Sequence, residues 1–139
     1  MMLWAIIMAG GKGTRFWPES RTDSPKQFLR LFGRKTLIEQ TVDRLRGVIP
    51  RSRILVVTQE EKRSLVKRLL KIPEGQILGE PVGRNTLPCA ALAAAYIRRK
   101  DPSAVLTMLP ADHCIGKPAL FRRALKAASE VTTETGAPV

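Results

Sequence analysis

Residues 3–18 read LWAIIMAGGKGTRFWP, an apolar run that leads directly into a cluster of glycines. The run Leu3–Met8 predicts a buried β-strand, and the glycines predict a loop at the carboxyl end of that strand. Glycine lets backbone N–H groups come close to an anion, and it adopts the φ > 0 conformations that turn successive N–H groups towards one. Gly10, Gly11 and Gly13 are therefore suited to cradle phosphate groups.

Two cations follow the glycines. Arg15 offers a planar fork of donors, and Lys26, in the segment PKQFL at residues 25–29, offers a mobile point charge. The two side chains can bind different oxygens of one polyphosphate, such as a nucleoside triphosphate. An ordinary glycine-rich loop between a strand and a helix is the alternative.

The glycines fit neither of the common phosphate-binding motifs. A Walker A loop needs its second glycine where this chain has Arg15 or Phe16, depending on which glycine begins the motif. The dinucleotide-binding fingerprint needs its third glycine at Phe16, whose bulk prevents close packing of helix on strand. The glycines alone therefore leave an ordinary loop open, and their position and the two cations are what favour a phosphate site.

The rest of the chain alternates short apolar runs with longer amphipathic ones, which is typical of βαβ units and a mostly parallel sheet. We expect strands at Leu3–Met8, Arg53–Thr58, Gln76–Leu78 and Ala104–Leu109. We expect helices over Thr36–Val48, over Glu60–Lys71, from Asn85 or Thr86 to about Arg99, and over Pro118–Thr132. No repeat or linker divides the chain, so residues 1–139 are treated as one unit of the α/β class.

Composition favours a globular protein without a membrane partner. Hydrophobic residues make up 44% of the 139 residues, enough for a core. No apolar stretch approaches the roughly 20 residues that span a bilayer, and the opening run lacks the basic segment of a signal peptide. We therefore expect a cytoplasmic location, with Cys89 and Cys114 as reduced structural thiols.

The formal net charge of +12 makes nucleic acid a partner to consider. Aromatic residues make up only 5% of the chain, and they do not alternate with basic side chains as stacking platforms do. Many basic residues, Arg44 among them, fall on predicted helices, where a solvated face is the ordinary interpretation. Nucleic acid is therefore not an expected partner.

Asp112 follows the fourth predicted strand. Its carboxylate should stand at the edge of the sheet where ligands gather in open parallel folds, and it can hold Mg²⁺ against nucleotide phosphates. A helix cap or turn residue is the alternative. His113 is the only histidine, and we expect a structural or hydrogen-bonding role for it.

The segment EPVGRNT, residues 80–86, follows the third predicted strand. Glu80 can accept hydrogen bonds from adjacent donors such as those on the Watson–Crick edge of guanine, and Gly83 can admit a flat base. A plain loop with a helix cap is the alternative. Base selection is therefore a plausible role for this segment.

Four segments together resemble the mannose-1-phosphate guanylyltransferases, which are sugar-nucleotide pyrophosphorylases. They are GGKGTRFWP at 10–18, PKQFL at 25–29, EPVGRNT at 80–86 and LPADH at 109–113. The resemblance covers essentially the whole chain. It implies the nucleotide-diphospho-sugar transferase fold, a Rossmann-like three-layer sandwich, and a Mg²⁺-dependent reaction of GTP with mannose 1-phosphate that yields GDP-mannose and pyrophosphate.

The resemblance also implies residue roles. Arg15 should bind the departing phosphates, Lys26 should neutralise the reacting phosphates, and Asp112 should hold Mg²⁺. The remaining matched positions should surround the nucleotide: Ala9, Gly10, Gly11, Gly13, Thr14, Glu80, Gly83, Asn85 and Thr86.

Members of this family are considerably longer than 139 residues. We therefore expect a truncated domain, the N-terminal nucleotide-binding part without the sugar-binding part, and little activity from it alone. An open edge on the fourth strand predicts self-association into a homo-oligomer. The alternatives are a thymidylyl- or uridylyltransferase acting on another hexose 1-phosphate, and a non-catalytic nucleotide-binding or regulatory module.

Overall fold

The computed structural model describes residues 2–11, 25–81 and 86–139. Within these ranges four parallel strands form one sheet, in the order β3-β2-β1-β4. The strands are β1 (Leu3–Met8), β2 (Ile54–Gln59), β3 (Ile77–Glu80) and β4 (Val105–Pro110). The predicted α/β class with a mostly parallel sheet is confirmed.

Four α-helices cover the two faces of this sheet. They are α1 (Leu37–Asp43), α2 (Arg63–Leu70), α3 (Thr86–Lys100) and α4 (Pro118–Thr135). Successive side chains of a strand point to opposite faces, so Ile7 packs with α1, α2 and α4 while Ile6 packs with α3. The result is a three-layer arrangement of helix, sheet and helix. No helix in the described ranges has the length and hydropathy needed to cross a membrane.

Helix α1 is shorter than the sequence predicts. It begins after Thr36, which forms a capping box with Glu39, and it ends at Asp43 instead of Val48. The chain then leaves helical geometry in a series of turns that contains Gly47 at φ 85°. The N–H groups of Leu45, Arg46 and Val48 donate to the carbonyls three residues earlier, a turn pattern that apolar spacing alone does not reveal.

Strand β3 is longer than predicted and ends at Glu80. Gln59 of β2 pairs with Glu80 in the parallel register. Glu80 is therefore the last residue of a strand, and the expectation that it begins a loop is wrong. This difference matters because a strand fixes the direction of the side chain.

The strand order reverses beside β1. The chain passes from β1 to β2 and β3 on one side, and then crosses to place β4 on the other side of β1. In open parallel sheets the carboxyl ends of the strands at such a reversal are where ligands bind. The N–H of Ala111 donates to the carbonyl of Met8 at 3.0 Å, so the chain after β4 stays close to the chain after β1.

Candidate functional site

The first residues of the glycine loop are held firmly against the sheet. The N–H of Ala9 donates to Val57 O at 2.7 Å, which continues the pairing of β1 with β2. The carbonyl of Ala9 accepts from Gln27 Nε2 at 2.9 Å and from Thr58 Oγ1 at 3.2 Å. Ala9, Gln27 and Thr58 are all buried. The loop therefore starts from a fixed backbone.

Gly10 lies close to the end of the Glu80 side chain. A Cβ atom on Gly10 would lie 2.8 Å from Glu80 Oε2, whereas a Cβ on Gly11 would meet nothing within 4 Å. Neither residue has a positive φ. The expected φ > 0 nest is therefore wrong for Gly10 and Gly11, and the close approach at Gly10 is to a carboxylate.

The carboxylate of Glu80 is buried between the glycine loop and α3. Its residue is only 7% exposed, and burial raises the pKa of its carboxyl. Burial also raises the pKa of the Cys89 thiol to about 11, with a further contribution from the charge of Glu80. Among the described residues no cation forms an ion pair with Glu80.

Lys26 and Asp112 lie side by side at the same edge of the sheet. Lys26 begins a short 3₁₀ helix, Lys26–Phe28, and its Nζ lies 3.8 Å from Asp112 Oδ2. The side chain of Asp112 is 41% exposed, and His113 Nε2 lies 4.0 Å from its other oxygen. The topology therefore brings together a cation and a carboxylate that are far apart in the sequence.

The donor set at Asp112 suits magnesium rather than a metal held by protein alone. In the described part of the chain no three His, Cys, Asp or Glu side chains gather to hold a metal ion. Magnesium commonly takes one or two carboxylates and completes its shell with water and substrate phosphates. A single carboxylate, 41% exposed and close to the glycine loop, is compatible with that pattern.

Arg44 supports the loop that carries Asp112. It is 7% exposed, and its guanidinium donates to Thr41 Oγ1 at 2.8 Å and to the carbonyl of His113. Burial lowers the pKa of Arg44. The expectation that Arg44 lies on a solvated face is wrong. The sequence spacing does indicate this burial, because Arg44 follows the buried Leu37 by seven residues and so projects from the same side of a helix.

The remaining predicted site residues are placed as follows. Thr86 begins α3 and is exposed. Gly13, Thr14, Arg15, Gly83 and Asn85 lie outside the described residues.

Cys114 is exposed, so the expectation of a structural thiol holds for Cys89 alone. His113 contributes its backbone carbonyl, and its side chain is 62% exposed.

The family model for nucleotidyl transferases matches residues 4–138. This chain belongs to the nucleotidyl transferase family. It is 42% identical over 137 residues to the mannose-1-phosphate guanylyltransferases of Escherichia coli and Klebsiella pneumoniae. Each alignment covers 96% of this chain and 29% of the relative, so the chain spans less than a third of the length of these relatives.

A solved structure from Thermus thermophilus, described as a mannose-1-phosphate geranyltransferase, has the same fold. The TM-score is 0.84 at 37% sequence identity, with coverage of 96% of this chain and 39% of that one. This structural match confirms the expected nucleotidyltransferase fold. The resemblance recognised in the four sequence segments is likewise confirmed by the guanylyltransferase relatives.

We expect Gly10→Ala to destabilise the protein and Gly11→Ala to be nearly neutral. The new methyl group at Gly10 must displace the buried Glu80 carboxylate, at a cost of about 1–3 kcal/mol. Gly11 has open space, so the change there should stay within about 0.5 kcal/mol. Urea denaturation of both variants measures the difference. Equal costs at the two positions would contradict the close contact of Gly10 with Glu80.

We also expect Glu80 to make stability depend on pH. Because burial raises its pKa above the ordinary value of 4.5, the folded state binds this proton more tightly than the unfolded state does. The stability that this tighter proton binding adds to the folded state is complete at pH values below the unfolded pKa of Glu80. It is lost as the pH rises through the folded pKa. As the pH rises from the unfolded to the folded pKa of Glu80, the free energy of unfolding of the wild type should therefore fall relative to that of Glu80→Gln. Denaturation at several pH values tests this, with the exposed Glu61→Gln as control, and parallel curves for wild type and Glu80→Gln would refute it.

Proposed function

We propose that this chain is the nucleotide-binding part of an enzyme that transfers GMP from GTP to mannose 1-phosphate. The observation that carries the proposal is the meeting of three groups where the strand order reverses. These are the backbone of Ala9–Gly11, the ammonium of Lys26 and the carboxylate of Asp112, the last two 3.8 Å apart. The names of the relatives at 42% identity support the guanylyl group and the mannose 1-phosphate acceptor.

The proposed reaction is an in-line displacement at phosphorus. An oxygen of mannose 1-phosphate forms a bond to the α-phosphorus of GTP, the bond from that phosphorus to the bridging oxygen breaks, and pyrophosphate leaves with the bonding electrons. No protein nucleophile is needed, so the protein contributes positioning and charge neutralisation. The resulting products are GDP-mannose and pyrophosphate.

Each charged group has an assigned role in this step. Lys26 neutralises the α-phosphate or the attacking sugar phosphate, and Arg15 binds the departing phosphates. Magnesium, when bound, supplies further positive charge to the phosphate oxygens. We assign Asp112 to hold it, because its carboxylate is half exposed at the edge of the sheet beside Lys26.

We assign guanine selection to Glu80, with Gly83, Asn85 and Thr86 beside the nucleoside. The buried carboxylate of Glu80 lies against Gly10, next to the phosphate-binding loop. Guanine presents two adjacent N–H donors on its Watson–Crick edge, which match two carboxylate oxygens. Uracil and thymine present a single N–H there, so they satisfy the carboxylate less well.

We further propose that the protein works in the cytoplasm, and that residues 1–139 alone bind nucleotide with little turnover. The first proposal is supported by the substrates, because GTP and sugar phosphates are cytoplasmic metabolites. The second is supported by the 29% coverage of the guanylyltransferase relatives.

We expect Mg-GTP to raise the melting temperature of the chain more than Mg-UTP or Mg-dTTP does. Lys26→Ala should weaken Mg-GTP binding about tenfold or more, the equivalent of one charge-assisted hydrogen bond. Lys67→Ala is the matched control, because Lys67 pairs with Glu74 at 3.1 Å on α2, away from the site. Calorimetric titration measures both affinities. Equal responses to the three nucleotides would refute guanine selection, and no response at all would refute nucleotide binding.

We also propose self-association through β4. In the described part of the sheet β4 pairs only with β1, so its outer side has backbone groups available to another strand, and Leu106 on it is 37% exposed. Light scattering should give a molar mass above the 15.4 kDa of one chain. Leu106→Lys should lower that mass, whereas Phe32→Lys, at an exposed residue in a loop, should not. A mass of 15.4 kDa at high concentration would refute the proposal.

A further inference from the structure

Gln27 makes an unusual pair of contacts beneath the glycine loop. It lies in the middle of the 3₁₀ helix Lys26–Phe28 and is 4% exposed. Its Nε2 donates to Ala9 O at 2.9 Å and to Gly11 O at 3.0 Å. A primary amide has two N–H donors, and both are used here on carbonyls of the same loop. The sequence segment PKQFL drew attention to this region, but no role follows for Gln27 from sequence alone.

These contacts decide which backbone groups of the loop can face a ligand. A carbonyl oxygen turned towards a phosphate would repel it, whereas an N–H turned towards it would bind it. The peptide bond is planar and trans, so directing the carbonyl of Ala9 at Gln27 points the N–H of Gly10 in the opposite direction. The hydroxyl of Thr58 donates to the same carbonyl and supports this orientation.

The position of Gln27 also links the loop to the neighbouring cation. Gln27 follows Lys26 directly, and the turn between them is closed by the N–H of Phe28 donating to Pro25 O at 2.9 Å. Anchoring Gln27 to Ala9 and Gly11 therefore sets the distance from the loop to Lys26, whose Nζ lies 3.8 Å from Asp112 Oδ2. One buried amide thus connects the phosphate-facing backbone with the charged pair.

We infer that Gln27 is a positioning residue for the triphosphate of the nucleotide. It holds the carbonyls of Ala9 and Gly11 away from the ligand and keeps the Gly10 N–H turned outward, while fixing Lys26 beside the loop. This role depends on the proposed function, because it requires that the loop bind a nucleoside triphosphate.

The chain contains a matched control in Gln76. Its Nε2 also donates to two carbonyls, those of Arg51 and Ile54, both at 2.6 Å. Ile54 begins β2 and Arg51 lies in the 3₁₀ turn just before it, so both carbonyls are at the opposite end of the sheet from the glycine loop. Gln27→Met and Gln76→Met each remove two such hydrogen bonds and keep a side chain of similar length. A difference in Mg-GTP affinity between the two folded variants therefore depends on where in the protein these hydrogen bonds lie.

The test measures Mg-GTP affinity by calorimetry for wild type and both variants. We expect Gln27→Met to bind about tenfold more weakly or worse, and Gln76→Met to bind as wild type does. If Gln27→Met does not fold, Gln27→Asn, whose amide is one methylene shorter, takes its place with the same expected order. Equal affinity of wild type and the Gln27 variant, or equal weakening in both variants, would overturn the role of Gln27.

Amide NMR spectra separate positioning from general loss of structure. Adding Mg-GTP should shift the Gly10 and Gly11 signals in wild type and in Gln76→Met, and should leave them nearly unchanged in Gln27→Met. The same Gly10 and Gly11 shifts in Gln27→Met as in wild type would overturn the inference. A wild-type chain that does not bind Mg-GTP would instead overturn the proposed function itself, and the role of Gln27 with it.

Discussion

The parallel pairing of β1 with β4 is the interaction on which the whole site depends. Its register places Met8 beside Pro110, and the bond from Ala111 N–H to Met8 O carries the contact beyond the end of β4. Two parallel strands end at the same edge, so the chain segments that follow them must leave close together. The glycine loop and Asp112 meet for this reason. An antiparallel β4 would leave Asp112 at the opposite end of the sheet.

Buried polar side chains stabilise the loops at the carboxyl edge of the sheet. Gln27, Thr58 and Arg44 are each buried, and each donates to a backbone carbonyl or hydroxyl near the site. A buried donor without a partner costs about 1–3 kcal/mol, more than a typical hydrogen bond contributes, so each of these side chains favours the loop conformation that satisfies it. Arg44 makes a further contact, because the central carbon of its guanidinium group lies 5.8 Å from the centre of the Phe121 ring on α4. Rigid support of this kind suits the proposed reaction, which depends on positioning instead of on a protein nucleophile.

Much of the architecture was predictable from local pattern. The alternation of apolar runs with amphipathic ones indicated the strands, the helices and the parallel sheet, because period and length distinguish these elements. The ends of elements were less predictable. After Asp43 the helical hydrogen bonds give way to tighter turns, which shortens α1, and pairing with β2 extends β3 to Glu80. Neither effect can be read from apolar spacing. The charge of Arg44 indicated a solvated face, whereas its position seven residues after the buried Leu37 places it on the packed side.

The sequence by itself determined the chemistry available to this protein. Glycines that allow close approach, two cations, and isolated carboxylates after strands are properties of residue types and their spacing. The tertiary structure alone decided which of these groups meet. Strand order placed Lys26 beside Asp112, the direction of β3 set Glu80 against Gly10, and the 3₁₀ helix brought the amide of Gln27 to two loop carbonyls. The physical reason is that such contacts join residues distant in sequence, and their geometry is fixed only when the strands pair and the core packs.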